Sequence, residues 1–151
     1  MIIELIQLSS TFALGLLIGS LLTEAMILVP YWRTMEPSEF LRLHHTLGPK
    51  LYTYFAPLTI IGTMLPMLTP ILQLMIVGEL DGFSFAAGVL ALMMLGVYFI
   101  YFKNANKSFE TSSIRPDDLP DELARWASWH WLRVGFGLVA FAFSLMSLLS
   151  A

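Results

Sequence analysis

Leu8-Ser9-Ser10-Thr11-Phe12-Ala13-Leu14-Gly15-Leu16-Leu17-Ile18-Gly19-Ser20-Leu21-Leu22-Thr23-Glu24-Ala25-Met26-Ile27-Leu28-Val29-Pro30 carries one charge, Glu24, in a run that is otherwise apolar or small. A helix needs roughly 20 such residues to cross a hydrocarbon core about 30 Å thick, and this run supplies them. The residues ahead of it, Met1-Ile2-Ile3-Glu4, lack a positive region, and no small-x-small cleavage pattern follows the run. We therefore expect a permanent span rather than a removable leader.

Three more apolar runs follow. Pro49 to Val77 is longer than one span requires and contains Pro57, Pro66 and Pro70, which predicts a kinked helix ending near Leu68 and a short helical stretch to Gly78. Phe83 to Phe102 is the third span. Residues 129–151 form the fourth, continuing a helix that begins near Pro120, with Asp117 and Asp118 as its capping side chains. The expectation is an all-α integral membrane protein, a single four-helix domain over 1–151 with spans at 8–30, 49–77, 83–102 and 129–151. Composition agrees: charged residues are 13% of the chain, about half the share in soluble domains.

Charge fixes the orientation. All eight Lys and Arg lie in or beside the first and third loops: Arg33, Arg42, Lys50, Lys103, Lys107, Arg115, Arg125 and Arg133. The positive-inside rule then places both long loops in the cytoplasm and both termini outside, as expected of a multi-pass protein of the inner (plasma) membrane. Every Trp, every Tyr and all three His fall on that same half. An aromatic belt at one interface alone suggests that this end does more than anchor. The small net charge of −3, with no basic patch, excludes a nucleic-acid partner, and the lack of cysteine excludes thiolate chemistry and Cys-ligated metals. The partners expected are the bilayer and a lipophilic small molecule.

Small residues recur at four-residue spacing along the first span, at Thr11, Gly15, Gly19 and Thr23, and the fourth carries Ser128, Gly135 and Ala142. Such stripes let helix backbones approach closely, within one bundle or between copies in a homo-oligomer.

Glu24 lies six residues inside Pro30, roughly 9 Å along the helix from the boundary. A carboxylate at that depth costs on the order of 3 kcal/mol and needs an inward direction and a partner. Trp126, His130 and Arg133 are spaced by four and three and so share one helical face. Arg133 is the basic residue inside a span, near the depth of Glu24, and either pairs with that carboxylate or snorkels to the headgroups. In the first loop, Glu36 to His45 reads as a short amphipathic helix ended by Gly48-Pro49. On its wheel Phe40, Leu43, His44 and Leu47 share the apolar side, while Arg42 and Thr46 oppose it. His44 should face the bundle mouth, with His45 at the boundary. Tyr98, Tyr101, Asn104 and Asn106 close the same end from the third helix, with Tyr52 from the second. These groups suffice for general acid–base chemistry with a carboxylate or imidazole as base. They also offer a metal site from Glu24, His44 or His45, and His130, though the sequence requires no cofactor.

The first span leading into Val29-Pro30-Tyr31-Trp32-Arg33, Asn106 after the third, and Trp126-x-x-x-His130-x-x-Arg133 opening the fourth together resemble the anthrone-oxygenase-like family of small four-span membrane proteins. The resemblance covers nearly the whole chain. It implies oxidation by O₂ of an anthrone to an anthraquinone, without flavin or haem. The base implied is His130 or Glu24, with Arg133 and Asn106 as donors to oxygen. Glu24, His44, His130, Arg133 and Asn106 are then the catalytic candidates, and Trp126, Tyr52, Tyr98, Tyr101 and His45 the substrate-binding ones. Three other classes fit the same residues: a small proton-coupled transporter using Glu24, a haem bundle ligated by imidazoles, and a non-enzymatic membrane component.

Overall fold

A computed structural model describes residues 2–150. Met1 and Ala151, expected as the outer ends of the domain and the last span, lie outside the described residues. The chain forms an all-α bundle of four helices, each long and apolar enough to cross a bilayer: α1 (Ile2–Trp32), α2 (Pro37–Val77), α3 (Gly82–Glu110) and α4 (Pro116–Ser150). Residues 33–36, 78–81 and 111–115 connect them, so the helices run up and down in turn. α1 and α3 each pack on α2 and α4, which closes a ring.

The helix boundaries differ from expectation in two places. The amphipathic first-loop helix does not stop at Gly48-Pro49, and the second span does not break near Leu68; both belong to the continuous α2, with Pro49, Pro57, Pro66 and Pro70 inside it. Each proline lacks an N–H and so frees the carbonyl four residues earlier. In a bilayer no competing solvent waits to hydrate a break, and packed neighbours hold the helix together instead. Pro70 frees the Pro66 carbonyl, for example, and that oxygen faces Gly88 of α3, where a β-carbon would sit 2.9 Å away. α2 finally ends at Gly78, whose φ of +81° makes the left-handed cap that glycine adopts without strain. At the start of α4, Asp118 is bonded to Arg115 at 2.8 and 3.0 Å, and the helix begins at Pro116.

The small-residue stripes also take a different role. Thr11 bonds Ser144 across to α4 at 2.5 Å and Gly15 lies against Phe141, but Gly19, Thr23, Ser128, Gly135 and Ala142 are exposed. Four-residue spacing advances about 40° per step on a helix of 3.6 residues per turn, so the α1 stripe winds off the packing face. Close approach comes from Gly62, Gly88 and Gly137 instead.

Two clusters form the interior. Leu14, Leu17, Ile18, Leu21, Met94, Val134 and Ala140 fill the middle. Trp32, Phe40, Phe102, Phe109 and Trp126 fill the end that carries the basic residues, hereafter the basic end. The opposite end is tied by side chains, with Gln7 donating to Ser147 at 2.9 Å. Large apolar side chains such as Phe12, Met75 and Ile100 point outward, as a lipid-facing surface requires.

Candidate functional site

A cavity of about 600 Å³ opens at the basic end, walled by α1, α2, α3 and α4. Its inner wall carries Glu24 and Arg133, its outer part Lys103, Asn106, Lys107 and Glu110, and its flank Tyr52, Thr59, Ile60, Tyr98 and Phe99. Ile60 of α2 and Phe99 of α3 line it and are 57% and 58% exposed.

Two of the helices that wall the cavity change pitch at residues that line it. α1 widens into a π turn at Glu24–Leu28, and α3 does the same at Tyr98–Phe102. A π turn inserts one residue into the helical register and redirects the side chains at that level, which is why such turns recur at functional sites. Glu24 and Tyr98 each open one of these turns, and both line the cavity.

Glu24 is 5% exposed and Arg133 8%. An Nη of Arg133 stands 3.6 Å from Glu24 Oε2, an ion pair longer than the charge-assisted hydrogen bond of about 2.7–2.9 Å. Arg133 Nε is buried with no hydrogen-bond partner among the described residues. The guanidinium also lies over the Phe102 ring, 4.4 Å from its centroid. The same Nη donates to His130 Nδ1 at 3.1 Å. An arginine can only donate, so Nδ1 carries the lone pair and the neutral ring bears its proton on Nε2, which donates to the Leu21 carbonyl at 2.9 Å. His130 is fully buried, stacked on Trp126 at 4.8 Å, and does not line the cavity. Its Nε2 is 3.7 Å from Glu24 Oε2. His130 thus braces Arg133 from behind and is a positioning residue.

His44 faces the cavity from α2, stacked on Phe40 at 3.9 Å and edge-on to Trp32 at 4.8 Å. Its Nδ1 donates to the Phe40 carbonyl at 3.2 Å, leaving Nε2 as the lone-pair nitrogen of the neutral ring. Asn106 accepts from Trp126 Nε1 at 2.9 Å through Oδ1, which turns its amide N–H₂ into the free donor.

Of the expected site residues, the fold gathers Glu24, His44, Asn106, Arg133, Tyr52, Tyr98 and Trp126 around one cavity. His130, His45 and Tyr101 are not among them. His45 lies one position, about 100°, round α2 from His44 and meets the Glu110 carbonyl at 3.1 Å on the exposed side. Tyr101 donates to Glu122 at 2.7 Å and stacks on Trp129 between α3 and α4, where Arg125 also pairs with Glu122. Among the described residues no three His, Asp or Glu side chains converge as metal ligands. The set Glu24, His44, His45 and His130 is split between the cavity, the outer surface and the buried wall. Lys103, Lys107 and Glu110 were not expected in the cavity. They share the face of Asn106 at spacings of three and four, a pattern that sequence carries but that means little until the neighbouring helix is placed.

The resemblance described above rests on its motifs: no family model, no curated protein and no solved structure matches the chain.

Proposed function

We propose that the chain is a membrane-embedded oxidoreductase, related in chemistry to the anthrone oxygenases, that removes a proton from an activated methylene of a lipophilic carbonyl compound and exposes the resulting enolate to O₂. One observation carries this reading. A buried carboxylate and a buried guanidinium stand side by side at the inner wall of a largely apolar cavity, too far apart to satisfy each other, with Arg133 Nε unpaired among the described residues. Buried groups with unspent hydrogen-bonding capacity are the exception in folded proteins and call for an external partner.

In this reading the Glu24 carboxylate takes the C–H proton and the electron pair moves onto the carbonyl oxygen. Arg133 N–H groups donate to that oxygen as its charge grows, fixed in place before the reaction begins. Oxygen then replaces the two methylene hydrogens, so that CH₂ and O₂ become C=O and H₂O. The apolar part of the lining supports a lipophilic substrate, and the loop charges support a cytoplasmic position for the basic end.

Glu24→Gln keeps the shape and removes the base. With anthrone as substrate, protein-dependent O₂ uptake and quinone absorbance should fall about 100-fold or more. Retained turnover in that variant would remove Glu24 from the mechanism.

A further inference from the structure

The rim of the cavity carries charge that the proposed proton transfer does not use. Lys103 and Lys107 lie one helical turn apart on α3, both line the cavity, and neither forms an ion pair among the described residues. Deeper in, Glu24 and Arg133 offset each other; at the rim, two ammonium groups stand against the single carboxylate of Glu110. Much of the rest of the wall is apolar, with Phe55, Ile60, Leu95 and Phe99 among its side chains. A cavity with a buried polar end, an apolar middle and a positive rim fits an amphiphile, not a plain hydrocarbon.

We propose that the ligand is an amphiphile bearing an anionic group, which Lys103 and Lys107 hold at the rim while its apolar body lies between α2 and α3. This rests on the reading of Glu24 as the base. Tyr98 and Glu24 each open a π turn and line the cavity, and Lys103 and Lys107 follow five and nine residues beyond Tyr98 on α3, toward the loop that ends it.

The test separates binding from chemistry by using unreactive probes. Anthracene carrying a carboxylate, a hydroxymethyl or an aminomethyl group is titrated into full-length protein in a neutral detergent, and energy transfer from tryptophan reports occupancy. The wild type should bind the carboxylate on the order of tenfold more tightly than the alcohol. Lys103→Ala with Lys107→Ala should bring the carboxylate down to the wild-type affinity for the alcohol, and arginine at both positions should restore the preference. Equal binding of carboxylate and alcohol by the wild type, or tighter binding of the ammonium probe, overturns the proposal. The two readings fail separately: a charge preference without deuterium exchange at an anthrone methylene leaves the binding claim standing and sinks the base. Exchange that favours no charge does the reverse.

Discussion

Glu24, Arg133 and His130 show how far single residues could be read from their setting. A charge in an apolar run is conspicuous because lipid makes it costly, and depth set Glu24 and Arg133 at one level while leaving both pairing and snorkelling open to the arginine. The wheel also separated His44 from His45, since a helix turns about 100° per residue. What spacing could not convey is that His130 has both ring nitrogens occupied, one by Arg133 and one by the Leu21 carbonyl. That pairing depends on α1 and α4 lying side by side. A residue-scale prediction follows. His130→Phe keeps the stack on Trp126 but strips Arg133 and the Leu21 carbonyl of a buried partner, which should cost about 1–3 kcal/mol in a denaturation measurement in micelles. Unchanged stability would mean that this contact contributes nothing.

Tyr101 belongs to the scale of the element. Tyr98 and Tyr101 share a face only on a regular α-helix; in the π turn that begins at Tyr98, three residues no longer close a turn, and Tyr101 swings to Glu122. No pattern in the sequence announces a π turn. The continuity of α2 was hidden for a similar reason, because proline breaks helices in water and the bilayer removes the alternative. Four-residue spacing misled as well, drawing attention to Gly19 when contact runs through Gly62. These two glycines give opposite expectations. A β-carbon on Gly62 would lie 2.9 Å from Leu17 and 3.2 Å from the Ala13 carbonyl, so Gly62→Ala should destabilise the bundle by about 1–3 kcal/mol. Gly19 has nothing within 4 Å, so Gly19→Ala should leave stability unchanged or raise it by up to about 1 kcal/mol. Thermal unfolding of both variants in one detergent checks the contrast, and the reverse ranking would contradict the packing.

For the whole molecule, the four-helix fold was legible from hydropathy because lipid enforces closed hydrogen bonding within each span. The cavity was legible only as a crowding of polar groups at one end. Which side chains line it depends on how the four helices pack, which spacing within one helix does not encode. Sidedness can be tested directly, as the chain has no cysteine to interfere. A cysteine at Glu79 should react with an impermeant maleimide on intact cells, and one at Ser112 only after permeabilisation; the opposite pattern would invert the orientation.

The central claim is that Glu24 acts as a base on a substrate held in this cavity. Deuterium exchange at the methylene of an anthrone, followed by mass spectrometry in D₂O without oxygen, tests it most directly because no later step contributes. The account predicts exchange accelerated by wild-type protein and reduced to the uncatalysed rate by Glu24→Gln. Exchange that proceeds equally with and without the Glu24 carboxylate would contradict it.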